Sequence, residues 1–118
     1  MNRQSAPFRT SGETPKEDLG DGIVRQILGY DDSILMARVW FEKGAVGQVH
    51  THPHSQVTYV ESGAFEFTVG DEVRRLEQGD CVYAAPDTRH GAVCVEQGVL
   101  IDVFSPIRDD FLSGEQDT

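Results

Sequence analysis

At 118 residues, with 38% of them hydrophobic, the chain has enough apolar material for one core and too little for two. Its net charge of −10 argues against nucleic acid and anionic membranes as partners. No apolar run approaches the ~20 residues that span a bilayer, and Cys81 and Cys94 read as buried free thiols rather than a disulfide.

The start, MNRQSAPFRTSGETPKED, lacks the apolar stretch of a signal peptide, so the expected compartment is the cytoplasm. Residues 1–20 are polar, rich in turn formers, and read as a loosely ordered arm. From Ile23 onward short strand-like runs recur, cut by glycine and proline. They are Ile23–Leu28, Ile34–Phe41, Val46–His52, Gln56–Glu61, Ala64–Val69, Val73–Leu76, Cys81–Ala84, Ala92–Glu96 and Val99–Phe104. Ser62-Gly63 and Gln97-Gly98 are among the breaks. Many short strands with tight turns predict an all-β sandwich or barrel over residues 21–112, followed by a tail at 113–118. Tyr59 and Tyr83 read as packing residues, and Glu72–Arg75 as a solvated edge strand.

The segment GAVGQVHTHPHSQ, Gly44 to Gln56, holds three of the four histidines within five residues. In an extended strand alternate side chains share a face, so His50 and His52 point the same way. Two imidazoles on one face are half of a metal site, and His90 is the remaining histidine that can add a third. Pro53 breaks the alternation, which leaves His54 at the rim or in competition with Gln56 as a ligand.

In LIDVFSPIRDDFL, Leu100, Asp102 and Phe104 share one strand face. Both faces of that strand are mostly apolar, so Asp102 needs a partner or a task. Phe104 can stack on a sugar ring, Asp102 can move protons, and Arg108 can clamp a carboxylate or pair with its neighbours Asp109 and Asp110. Arg38, between Met36 and Trp40, is a possible second cation, but strand parity alone does not decide its face.

Gly44, His50, His52 and Gly63 resemble the first motif of the cupin superfamily, with Gln56 where a carboxylate is usual. Gly79, Pro86 and His90 resemble the second motif, with Ala85, Asp87 and Cys94 as departures from it. The resemblance implies a single-domain double-stranded β-helix, or jelly-roll barrel, that binds a divalent transition metal such as nickel, zinc, iron or manganese. The stretches GIVRQILGYDD and DVFSPIRDDFL extend the likeness to the pectin-degradation cupins, which linearise 4,5-unsaturated uronates. That family implies His50, His52, Gln56 and His90 as metal ligands. It implies Asp102 as the catalytic acid–base and Phe104 and Arg108 as the substrate-binding pair. It further implies a small sugar acid as substrate and a homodimer as the assembly. Two other readings fit three histidines in a barrel: an iron-dependent dioxygenase, and a sugar-acid-binding cupin without turnover.

Overall fold

A computed structural model describes residues 3–112, so the tail expected at 113–118 lies outside the described residues. The elements in chain order are β1 (Lys16–Gly20), β2 (Ile23–Asp31), β3 (Ile34–Phe41), β4 (Val46–His50), β5 (Ser55–Val69), β6 (Glu72–Glu77), β7 (Cys81–Ala84), β8 (His90–Ser105) and α1 (Asp109–Leu112). Strand pairing runs β1-β2-β3-β8-β5-β6, with β4 also on β8 and β7 also on β5. Every pair is antiparallel. The all-β reading therefore holds, and no helix among the described residues is long and apolar enough to cross a membrane.

Two long strands carry the architecture. β5 and β8 each replace a pair of shorter predicted strands, because the breaks at Ser62-Gly63 and Gln97-Gly98 are kinks within continuous strands. At this crossing Gly63 has φ +79°, and a Cβ there would meet the Gln97 and Glu96 carbonyl oxygens at 2.5 and 2.6 Å. A Cβ on Gly98 would meet the Ser62 carbonyl oxygen at 2.2 Å. Glycine is thus required twice by contact with a neighbouring backbone, and once also by its left-handed conformation.

Register places the site. The pairing rows Gln56–Phe104–Leu35, Thr58–Asp102–Ala37–Ile27 and Val60–Leu100–Val39–Arg25 lie side by side on the inner face. Val60, Leu100 and Val39 belong to one buried apolar cluster with Phe41, Phe65 and Cys94. Ile27, Leu35, Ala37, Phe104 and Ile107 form a second. Asp102 lies in the row between Leu100 of the first and Phe104 of the second, so a polar seam divides the core. Phe65 and Leu35 are fully buried, and each such side chain stabilises the fold by roughly 2–3 kcal/mol.

The anticipated N-terminal arm contains β1, which pairs with β2 despite its polar sequence KEDLG. Gln26, fully buried, donates from its amide to the carbonyl oxygens of Ser11 and Thr14, both at 2.9 Å. One buried side chain therefore holds the arm on the outer face of β2, a contact that hydropathy does not report. Arg38 pairs with Ile101 and so faces outward, away from the Asp102 row. Tyr59 and Tyr83 are exposed rather than packed, and Cys81 is exposed while Cys94 is buried. β6 is a solvated edge strand, with Glu72 to Arg75 all exposed.

Candidate metal centre

Three elements bring the histidines together. β4 ends at His50, the turn after it carries His52, and His90 opens β8 directly opposite His50. A ligand atom from each of the three lies within 4.8 Å of the others. The ring centroids are 5.4 Å apart for His50 and His52, and 4.6 Å apart for His52 and His90.

Backbone carbonyls fix how these rings are protonated. His50 Nδ1 lies 2.7 Å from the Gln48 carbonyl oxygen, and His90 Nδ1 lies 2.8 Å from that of Thr88. A carbonyl only accepts, so in each ring Nδ1 carries the proton and Nε2 keeps its lone pair. His90 Nε2 is buried without a hydrogen-bond partner, the state expected of a nitrogen kept for a cation. Burial, reinforced by Arg108 and neighbouring imidazoles, holds His52 and His90 below the ordinary histidine value. Both rings are therefore neutral near pH 7, the form that binds metal.

Gln56 lies against the set. Its Oε1 lies 2.9 Å from His52 Nε2, while its amide nitrogen donates to Thr58 Oγ1 at 2.9 Å. Thr58 in turn donates to Asp102 Oδ1 at 2.6 Å. Because Thr58 spends its proton on Asp102, it must accept from the Gln56 NH₂ group, which turns the Gln56 carbonyl toward the histidines. The 2.9 Å separation of His52 Nε2 and Gln56 Oε1 also matches two donors at right angles around one ion about 2.1 Å from each. The residues thus fit a divalent metal: His50 and His90 keep their Nε2 lone pairs, and His52 Nε2 faces an oriented amide oxygen across a gap that one ion can share. His54 takes a different role, with Nε2 donating to the Ile107 carbonyl oxygen at 3.1 Å. It tethers the C-terminal segment to the metal loop and is not among the clustered ligands.

Asp102 sits at the far end of the chain His52–Gln56–Thr58–Asp102. Loss of hydration pushes its carboxyl up to about 6, against the lowering effects of Thr58, Arg108, Gln56 and Arg25. Phe104 lies 5.8 Å from His52 between ring centroids and is only 2% exposed. The Arg108 guanidinium lies 5.0 Å from the Phe104 ring centroid and 4.3 Å from that of Phe111. Two of its nitrogens are held by Asp110, Nε at 3.0 Å and Nη2 at 2.8 Å. Stacking of a sugar on Phe104 thus requires Arg108 to shift.

Three residues escaped the sequence analysis. Thr58 alternates with Gln56 on β5, a spacing that could have revealed it. Arg25 is a charge inside the otherwise apolar-leaning run IVRQIL, also a readable signal. Phe111 lies in a four-residue helix, too short for any periodicity to be read.

Comparison with known proteins decides the family, since the cupin domain family matches residues 37–104. The chain is a cupin. This cupin is 49% identical over 102 residues to the pectin degradation protein KdgF of Dickeya dadantii strain 3937, covering 85% of the chain and 93% of that protein. It superposes on an RmlC-like cupin from Shewanella frigidimarina with TM-score 0.90 at 45% identity, covering 92% of this chain and 97% of that one. The structure of KdgF from a Halomonas species matches with TM-score 0.86 at 40% identity, covering 91% and 99%. Within the cupins, the chain therefore falls with the pectin-degradation proteins.

Proposed function

We propose that this cupin linearises 4,5-unsaturated monouronates derived from pectin or alginate, giving 5-keto-4-deoxyuronate. The observation that carries the reading is the hydrogen-bonded line from His52 through Gln56 and Thr58 to Asp102, which joins a metal-ligand set to a proton-transfer group poised near neutrality. Its likeness to two KdgF proteins supports a sugar acid from pectin breakdown as the substrate.

The substrate is a cyclic hemiacetal whose ring oxygen is also an enol-ether oxygen. Asp102, as carboxylate, removes the proton of the anomeric hydroxyl. The O–H electron pair becomes the C1=O bond, the bond from C1 to the ring oxygen breaks, and that oxygen leaves on C5 as an enolate. Asp102 then returns the proton to C4, and the enolate becomes the C5 ketone. No atom is gained or lost. A divalent metal held by His50, His52, His90 and Gln56 would supply Lewis-acid stabilisation of the negative charge that develops on oxygen. Thr58 orients the carboxylate, and Arg108 and Phe104 form the substrate-binding pair beside it. The neutral amide of Gln56 leaves the ion's charge intact, which favours polarisation over electron transfer to dioxygen.

The assay follows loss of the enol-ether absorbance of unsaturated galacturonate against its spontaneous rate, with metal content measured on the same sample. Acceleration by the metal-loaded protein is the expected result, and its absence removes the reading. Two free thiols, Cys81 and Cys94, suit a reducing compartment and support the cytoplasm as the setting. A homodimer is proposed across the outer faces of β7, β5, β8 and β3, where Tyr83, Val57, Val103 and Met36 line up in register. Tyr83 is 58% and Val57 41% exposed, an apolar strip that a second copy would cover. Sedimentation of the wild type against Tyr83→Glu tests it, with the variant expected as monomer.

A further inference from the structure

We infer that Arg25, which no part of the linearising chemistry above uses, is a second carboxylate-binding residue of this site. Arg25 pairs with Val39 and through it with Leu100, which places it on the inner face. It is 6% exposed, and its Nη2 is buried without a hydrogen-bond partner. A buried charged donor left unmade is costly, so such a group calls for a ligand. Glu17 engages Nε, which lies 3.2 Å from its carboxylate.

The position of this guanidinium fits an acid bound at the metal centre. Its Cζ lies 3.9 Å from the centroid of Phe111, the same ring that Arg108 covers at 4.3 Å, so two cations converge on one aromatic. Phe111 meets Phe104 edge-on at 5.3 Å, and Phe104 meets His52 at 5.8 Å. The charge of Arg25 acts on Asp102 itself. Arg108 already has two nitrogens on Asp110, whereas Arg25 has a buried N–H to offer. Arg25 thus adds an open donor beside Arg108 for a carboxylate on a protein whose net charge of −10 would otherwise repel it.

The inference rests on the uronate reading for the identity of the acid, and the test separates the two. Metal-loaded wild type, R25K and R25M are compared by melting temperature, metal content, kinetics on unsaturated galacturonate, and calorimetric binding of saturated galacturonate and its methyl ester. In R25M, KM and the galacturonate Kd rise together by about 10- to 100-fold, while kcat moves by less than about 3-fold. The methyl ester, which keeps the ring and loses the charge, binds wild type and R25M equally. A folded, metal-loaded R25M with wild-type KM and Kd overturns the inference. If R25M does not fold, R25K decides: it keeps the charge and loses the fork, and wild-type values for it are equally fatal. Arg25-dependent binding of galacturonate by a wild type that never turns over the uronate supports Arg25 and removes the linearising reading instead. Failure of the wild type to bind galacturonate at all overturns the Arg25 assignment.

Discussion

Thr58 Oγ1 stands 2.6 Å from Asp102 Oδ1 and receives the Gln56 amide at 2.9 Å, so one hydroxyl couples the metal ligand to the acid. Thr58→Val keeps the volume and removes that coupling. Thr58 holds the Asp102 carboxyl down, so its loss raises the Asp102 value further. The acid limb of the kcat/KM pH profile should then move to higher pH. Thr58→Ser should restore it. An unmoved limb in Thr58→Val would show that Asp102 does not set it.

Asp102→Asn should lower turnover by about 10²–10⁴-fold if the carboxyl transfers protons. The same change should stabilise the chelator-treated protein. With its folded value near 6 against the ordinary 3.8, Asp102 keeps its proton longer in the folded state. The Asp102 contribution to stability therefore falls as pH rises from about 4 to 6, by at most about 3 kcal/mol, against the opposite slope of the histidines. Asn lacks this loss, so its advantage should be absent near pH 4 and full above pH 6. Urea denaturation at the two pH values measures it.

Gln56→Glu tests why an amide occupies a position where cupins usually carry an acid. A carboxylate there should hold the metal more tightly against a chelator. It would also place a second negative charge beside Asp102, which the Gln56 amide nitrogen approaches at 3.5 Å. Two adjacent carboxylates raise the value of one of them. Turnover at pH 7 should fall while metal retention rises, and a variant that gained both would refute the role given to the amide.

His90→Ala and His54→Ala separate ligand from tether. The first should weaken metal binding by more than about 100-fold, and the second should leave it near wild type while loosening the segment around Ile107. Burial lowers His52 and His90, so protons compete with the metal only below the ordinary imidazole value of 6.5. Metal release on acidification should have its midpoint under that value. By the same sign, the metal-free protein should lose stability as pH falls through 6.5, because the unfolded chain takes up protons first. Metal analysis after dialysis across pH 5–8, with melting curves alongside, checks both.

Alternation and histidine spacing were enough to predict an all-β sandwich or barrel and a shared face for His50 and His52 with His90 as the available third, because both follow from a two-residue period and from ligand chemistry; the barrel came with the cupin motifs. The face shared by Leu100, Asp102 and Phe104 was legible for the same reason. Arg38 was not, since its parity means nothing until β3 is paired with β8. β1 was hidden because KEDLG carries no apolar alternation and is held by pairing and polar contacts such as Glu17 to Arg25. The Gln97-Gly98 break was misread because glycine signals a turn and a tight crossing equally well. Arg25 and Thr58 left readable signals, a charge inside IVRQIL and alternation with Gln56, but their partners emerge only from the rows across strands.

β8 carries His90 at one end and Asp102 toward the other, and its inward positions keep even numbering through the kink at Gly98. Twelve residues therefore act as a phase-locked ruler between ligand and acid. One residue inserted anywhere along that ruler would leave the histidine in place and turn the carboxylate out to solvent. Insertions in this chain are thus tolerable in its hairpin turns and forbidden between residues 90 and 102, so variation in length along that strand is a mark of lost activity that can be read without an assay.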